Sequence, residues 1–282
     1  MAIEIGIFAV PDATNPQVTV DSVIAADRSG LELVGIQDHP YQRRFFDSWT
    51  LLSYLAARTE RIRLVPDVLN LPLRLPSVLA KSAASLDLLS GGRLELGLGA
   101  GAFWDAVEAM GGPRRTPGES VDALEEAIAI IRAFWAADGA IDAGGPHYRV
   151  KGAKGGPPPA HPIGLWIGAY KPRMLRLTGR LGDGWLPSYG NPPYMPAEDV
   201  PKMHAAVDEG AREAGRDPAD VKRVLNVMHL EGSPDGWAEH LARLATELRF
   251  STLLVGLPSE GQVDFVRRLG EDAAPRAREL AA

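Results

Sequence analysis

Apolar residues in this chain come in short continuous runs, and amphipathic stretches separate them. The runs Ile3–Val10, Leu33–Gln37, Ile62–Leu69, Leu94–Ala100, Leu165–Gly168, Gly184–Leu186, Val221–Leu230 and Thr252–Val255 read as strands. Between and after them, helical spacing predicts helices at Val18–Ser29, Phe46–Arg58, Pro76–Leu89, Ser120–Trp135, Arg173–Leu181, Pro196–Ala214, Gly236–Arg249 and Gly261–Leu269. In the third helix Leu79, Ala83, Leu86 and Leu89 share one face. Strands that are apolar without alternation are buried on both sides, as in a parallel sheet. Strand-helix units of this number and length predict an α/β fold, a (β/α)8 TIM barrel formed by one domain over residues 1–282.

A barrel of this kind puts its chemistry at the carboxyl ends of its strands. Those ends fall at Ala9–Asn15, Asp38–Arg44, Asp67–Leu71, Ala100–Asp105, Gly168–Lys171, Ser188–Gly190, His229–Glu231 and Gly256–Pro258. One segment breaks the rhythm. Asp138–Pro162 is rich in Gly and Pro and contains His147-Tyr148-Arg149, which predicts a hairpin or loop insertion near the barrel mouth.

Composition narrows the function. The 282 residues include no cysteine, so thiol catalysis and disulfides are excluded. The net charge of -6, without a basic tract, argues against nucleic acid as a partner. No basic leader precedes the first strand and no apolar run reaches membrane-spanning length, so a soluble cytoplasmic enzyme is expected.

The strand ends carry the candidate chemistry. Asp38-His39 closes the second strand, where a carboxylate and an imidazole can bind a polar ring edge and move a proton; a nearby carboxylate is expected to raise the histidine's pKa. The same pair also fits a turn, with Asp38 capping the loop before Pro40. Asp67 and Asn70 offer polar contacts at the third strand's end, or simply terminate it. After the glycine-rich strand Gly97-Leu98-Gly99-Ala100-Gly101, Phe103 and Trp104 can wall a substrate pocket or pack into the core; spacing favours the core for Phe103 and the pocket for Trp104. Gly97, Gly99 and Ala102 loosely match a dinucleotide fingerprint, but the segment lies at the fourth strand and no ribose-binding acid follows. Gly168-Ala169-Tyr170-Lys171 leads into a helix whose first N–H groups suit a phosphate, with Lys171 and Arg173 adding positive charge. Metal ligation is not signalled: the histidines are scattered, and of the later ones only His229 falls near a strand end. No G-x-S-x-G nucleophile motif is present.

At these residues the chain resembles the bacterial luciferase-like superfamily of flavin- and deazaflavin-dependent oxidoreductases (the LLM class). The carriers are Asp38-His39, the block Leu86–Gly101 with its Ser90-Gly91-Gly92-Arg93 turn, Gly145-Pro146-His147-Tyr148-Arg149, and Pro162 through Gly168-Ala169 to Gly182-Asp183-Gly184-Trp185. The resemblance implies a barrel with an insertion, a homodimer, and a cofactor ring across the mouth with its phosphate near Gly168–Lys171. It implies a non-prolyl cis peptide at Asp67-Val68 behind the ring, with ring contacts from Asp38, Asp67, Val68, Asn70, Ala100 and Gly101. The branch most similar uses the deazaflavin coenzyme F420, and there the histidine matching His39 transfers a proton. Relatives that oxidise glucose 6-phosphate carry a glutamate after the last glycine of the fourth strand. This chain has Ala102 there, and Phe103 and Trp104 beyond it, which points to a more apolar substrate.

These implications make an F420-dependent reductase or dehydrogenase the leading expectation, with a hydride passing between the deazaflavin C5 and a small organic substrate. An FMN-dependent monooxygenase is the alternative within the superfamily. A non-catalytic flavin-binding barrel is the alternative of another class, disfavoured by the Asp38-His39 pair.

Overall fold

A computed structural model describes residues 3–189 and 195–282. The chain opens with β1 (Glu4–Ala9), α1 (Pro16–Arg28), β2 (Leu33–Ile36) and α2 (Ser48–Ala56). Next come β3 (Arg63–Pro66), β4 (Leu69–Asn70), α3 (Pro76–Ser90), β5 (Leu96–Gly99), α4 (Trp104–Ala109) and α5 (Pro117–Ala136). An antiparallel hairpin, β6 (Ala140–Gly144) and β7 (Arg149–Lys154), leads to β8 (Leu165–Ile167) and α6 (Pro172–Leu181). The remainder comprises β9 (Gly184–Trp185), β10 (Ser188–Tyr189), α7 (Val200–Glu213), β11 (Lys222–Val227), α8 (Pro234–Glu247), β12 (Thr252–Gly256), α9 (Gln262–Arg268) and α10 (Ala274–Ala281). Local chemistry explains the helix starts. A proline occupies the first turn of α1, α3, α5, α6, α7 and α8, where its missing N–H has no intrahelical partner to lose. α5 adds a capping box between Thr116 and Glu119.

The strands pair in parallel along the path β3-β2-β1-β12-β11-β9-β8-β5-β4. β3 and β4 are two halves of one strand: the first pairs with β2 and the second with β5. A bridge between Leu64 and Leu94 joins β3 to the start of β5 and closes the ring. With β3 and β4 counted together, the result is the predicted (β/α)8 barrel. Its interior is filled by Phe8, Leu33, Val65, Trp166, Leu186, Val224 and Leu254, and a larger apolar layer lies between barrel and helices. Burial on both strand faces is why the apolar runs do not alternate.

The run Ile62–Leu69 is interrupted at Asp67-Val68, where the resemblance implies a bulge with a cis peptide. The Asp67-Val68 peptide is cis, and the Val68 side chain lies against the glycines of the neighbouring strands. A Cβ on Gly97, Gly99 or Gly168 would lie 3.2, 2.9 or 3.1 Å from a Val68 methyl, and one on Gly97 would lie 2.1 Å from the Pro66 carbonyl oxygen. These glycines therefore clear space for the bulge of β3–β4. Gly101 has a different reason: its φ is 110°, and a Cβ there would meet Pro72 and Trp104.

The Ser90-Gly91-Gly92-Arg93 turn also acquires a physical role. Gly91 caps α3 in the left-handed region. Arg93 then reaches under α2 and donates to the carbonyls of Ala56, Thr59, Ile62 and Ser90 and to the Thr59 hydroxyl. Its guanidinium thus satisfies carbonyls at the end of α2 and in the loop before β3. At the amino ends of the strands, Arg63 bridges Glu4 and Glu95, and Lys222 pairs with Glu4. The C-terminal helix was not foreseen. A π turn at Leu269–Ala273 carries the chain past the expected end at Leu269 into α10.

Gly97→Ala should lower stability by about 2 kcal/mol or more, because its Cβ meets backbone that cannot swing aside. Gly139→Ala, where a Cβ meets nothing within 4 Å, is the control expected to stay within about 0.5 kcal/mol. Urea denaturation of both variants checks this, and equal midpoints would contradict the account of the bulge.

Candidate active site

At the carboxyl ends of the strands a chain of polar contacts runs from β2 to β4. Asp38, just past β2, is buried, and its carboxylate is fully engaged. It accepts from Ser48 Oγ at 2.7 Å and from the Asn70 backbone N–H at 2.9 Å. Arg74 clamps both of its oxygens, Nη2 to Oδ1 at 2.9 Å and Nε to Oδ2 at 3.3 Å. With 1% of its side chain exposed and both oxygens paired within the chain, Asp38 has no free oxygen for the ring contact and catalytic role expected of it, and the contacts make it a residue that positions its neighbours. Ser48 and Arg74 were not singled out in the sequence. The one signal for Arg74 is a lone cation in the apolar stretch Leu71-Pro72-Leu73-Arg74-Leu75.

His39 points away from that lock. It is half-buried, with Nδ1 2.6 Å from the Tyr41 hydroxyl. Its ring centroid lies 5.4 Å from that of Tyr41 and 5.5 Å from that of Phe103, the latter edge-on. Burial lowers the His39 pKa, and the Asp38 charge offsets this only in part. The expected rise is therefore reversed, since Asp38 is already paired with Arg74 and desolvation of the imidazole dominates. Burial pushes the Tyr41 phenol up to about 12, although a hydrogen bond from the Asn70 side chain opposes it.

Phe103 stands at the edge of this group. It is 61% exposed and adopts a left-handed φ of 56° at the start of α4. A non-glycine residue in that region costs about 1 kcal/mol and marks an over-determined spot. The core position that spacing favoured for Phe103 is not observed, because its ring leans on His39 and Tyr41 instead of the barrel wall. Trp104 is half-buried, and its ring tip abuts Gly101.

A second polar group lies within the mouth. Asp67 is buried against Gly35, whose missing Cβ makes the room. Its Oδ1 accepts from Asn226 Nδ2 at 3.0 Å, and Asn226 also contacts Ser188 Oγ at 3.3 Å. Asp67 Oδ2, Asn70 Oδ1 and Asn226 Oδ1 are buried without a hydrogen-bond partner. Burial raises the Asp67 pKa to about 7, against the pull of the Asn226 hydrogen bond. Three unsatisfied polar atoms around Val68 form a set that a ligand with its own ring N–H groups fits, since buried polar groups seek partners. Sequence reasoning missed Asn226; its signal was an amide inside the apolar run Val224-Leu225-Asn226-Val227.

The remaining positions gather on the β8 side. Gly168 follows β8 and donates to the Leu98 carbonyl, and Ala169 is buried with its carbonyl held by Trp185 Nε1. Tyr170 Oη accepts from the Ser188 backbone at 2.8 Å. Lys171 is the exposed N-cap residue of α6, and no side chain caps the helix there. Arg173 does not add to this positive end, because its guanidinium binds Asp122 and the Gly118 carbonyl. Ala100 and Gly101 are partly exposed at the end of β5. Gly190 lies outside the described residues. His229 is exposed and lines a separate cavity with Trp237, His240 and Arg243, sharing no residue with the His39 group. In the β6–β7 hairpin, Tyr148 reaches the Leu71 carbonyl just beyond β4, and Arg115 donates to its hydroxyl.

Known proteins bear on this geometry. Residues 3–278 match the model of the luciferase-like monooxygenase family. An F420-dependent glucose-6-phosphate dehydrogenase of Kribbella flavida is 31% identical over 80% of this chain and 69% of its own. One of Intrasporangium calvum is 30% identical over 86% and 73%. Among solved structures, an F420-dependent secondary alcohol dehydrogenase in complex with an F420-acetone adduct superposes with a TM-score of 0.84 at 18% identity, covering 98% of this chain and 99% of the other. The F420-dependent tetrahydromethanopterin reductase of Methanopyrus kandleri superposes with a TM-score of 0.79, also at 18% identity, over 98% and 99%. At that identity the two structures speak to the fold.

Asp67 should leave a pH signature in stability. Its folded pKa of about 7 exceeds the ordinary 3.8, so its favourable contribution is complete below about pH 4 and is lost as the pH rises to about 7. Asp67→Asn should therefore gain on the wild type across that window, seen as urea midpoints that diverge with rising pH. Parallel midpoints from acid to neutral pH would count against a carboxyl that stays protonated.

Proposed function

The chain belongs to the luciferase-like monooxygenase family, and from that premise we propose that it is a coenzyme F420-dependent oxidoreductase that moves a hydride between the deazaflavin and a small organic substrate. The curated relatives named above are F420-dependent by name, which supports the cofactor. The observation that carries the reading is the mouth itself: three unpartnered polar atoms around the Val68 bulge, beside an imidazole with one unused nitrogen.

The residues fit the group. Asn70, Asn226 and Asp67 would hold the polar edge of the ring, and Val68, Ala100 and Gly101 would support its flat face. The exposed start of α6, with the Lys171 ammonium and the first helical N–H groups, would take the cofactor phosphate. When bound, a deazaflavin supplies two-electron hydride chemistry at C5. The chain supplies the remainder. His39 holds a proton at the mouth, Tyr41 and Phe103 shield it from water, and the Asp38–Arg74 pair keeps the loop that bears it in place. Ala102 cannot serve as an acid or base where the glucose-6-phosphate relatives have a glutamate. With Phe103 beside it, the pocket suits a substrate less polar than a sugar phosphate.

Titration of the purified protein with coenzyme F420 and with FMN, followed by ring fluorescence, tests this reading. Micromolar affinity for the deazaflavin is expected in both the wild type and His39→Ala, with turnover falling about 100-fold or more in the variant. FMN binding without F420 binding would favour the monooxygenase alternative, and unchanged turnover would remove His39 from the mechanism.

We also infer a homodimer through α2 and α3. Leu75, Val78 and Leu89 are 65%, 59% and 86% exposed there, Leu75 and Val78 lining one groove and Leu89 a second, both of which include Trp49 and Ser82. Apolar side chains grouped in this way mark an interaction face. Sedimentation should give the mass of two chains, and Leu89→Glu combined with Val78→Asp should give one. A wild-type monomer at micromolar concentration would overturn the inference.

A further inference from the structure

Arg114 and Arg115 are adjacent in the chain, but only the first is neutralised. Arg114 is exposed and pairs with Asp105 and Glu108. Arg115 is 8% exposed and forms no ion pair among the described residues. Its guanidinium makes one hydrogen bond, from Nη1 to the Tyr148 hydroxyl at 3.1 Å, and its Cζ lies 4.6 Å from the centre of that ring. The acids around it are spent elsewhere: Glu119 caps Thr116, and Glu126 accepts from the His147 and Tyr148 backbones. Buried charges are ordinarily paired, so a guanidinium this deep is short of a counter-ion. The unused nitrogens, Nε and Nη2, form one edge of the planar fork, and neither is sealed from solvent. Arg74 grips Asp38 with that same edge. Tyr148 holds the Arg115 fork from behind. Its hydroxyl donates to the Leu71 carbonyl at 3.1 Å, and its oxygen receives the Arg115 N–H. Leu71 follows Asn70 directly, which puts the fork on the hairpin side of the mouth.

We propose that the Nε–Nη2 edge of Arg115 receives an oxyanion, a carboxylate or a phosphate, carried by a molecule that occupies the mouth. Two parallel N–H groups match two oxygens of such a group, and the charge that the chain leaves unmatched is then neutralised. The edge shares no residue with the start of α6, so it is a second anion site besides the one at Lys171. It rests on Arg115 and its surroundings, and it holds whichever flavin the barrel takes. The oxyanion has two sources, the acidic side chain of the cofactor and an acid group on the substrate. In the second case the substrate is an apolar acid, whose carbon frame would meet Phe103 and whose charged end would meet Arg115.

The test watches the arginine itself. In cofactor-free protein labelled with ¹⁵N at arginine, the Arg115 Nε–H signal should move on titration with inorganic phosphate and saturate at millimolar concentration. Sodium chloride at equal ionic strength should leave it in place. The Nε–H signals of Arg74 and Arg93, whose forks the chain already fills, should not respond. Arg115→Lys keeps the charge but loses the two-pronged edge. In a Lys171→Ala background it should weaken phosphate binding, read by calorimetry, about tenfold. An Arg115 signal that phosphate leaves unmoved, or that chloride moves as far, would sink the proposal, as would undiminished phosphate affinity in Arg115→Lys. The wild-type titration decides even if a variant does not fold. Repeating it with coenzyme F420 bound separates the two sources. A signal already shifted and no longer sensitive to phosphate gives the oxyanion to the cofactor, and one that still responds gives it to the substrate. A protein that binds no F420 strikes the cofactor assignment and leaves the first titration standing.

Discussion

One buried carboxylate organises the open end of this barrel. Asp38 ties together three elements at the mouth: the end of β2, the start of α2 through Ser48, and the end of β4 through Asn70 and Arg74. A carboxylate removed from water is tolerated only when its lone pairs are filled, and here all the donors come from the chain itself. His39 follows Asp38 directly in the chain, and its Nδ1 lies 2.6 Å from the Tyr41 hydroxyl. The half-open imidazole thus owes its place at the mouth to a neighbour that faces inward.

Much of the architecture could be read from the chain. Burial on both faces writes itself as continuous apolar runs, and the helices announce their starts with proline. The site was legible by position, since strand ends name Asp38, His39, Asp67 and Asn70. What those residues do was less legible. Asp38 and His39 are adjacent in sequence, yet one is sealed and the other half-open, and only the three-dimensional path of Arg74 separates them. Asn226 and Tyr41 gave almost no local signal, because each gains its meaning from a partner 159 or two residues away that shares its surroundings. The interruption at Asp67-Val68 left no trace in the hydrophobic period, since both halves of the strand remain buried.

The two ends of the barrel use charge in opposite ways. At the amino ends Arg63, Glu4, Glu95 and Lys222 neutralise one another in a closed network, and Arg93 fills carbonyls that α2 leaves over. At the carboxyl ends the polar atoms are left incomplete. Asp67, Asn70 and Asn226 each keep an oxygen without a partner, a state that is rare in protein interiors. One end is finished by the chain, and the other keeps oxygens that the chain leaves open.

The glycines of β5 and β8 carry a further consequence. Gly97, Gly99 and Gly168 lie on different strands but surround the same pair of methyl groups, those of Val68. Their spacing is thus the imprint of a neighbour's volume more than the outline of a bound molecule. Three of these positions, Val68, Gly99 and Gly168, behave as a single unit of inheritance, while Gly97 is fixed by the Pro66 carbonyl as well. A larger residue at Gly99 or Gly168 asks for a smaller one at position 68, so a lineage that reshapes the floor of this mouth must do so in concerted steps.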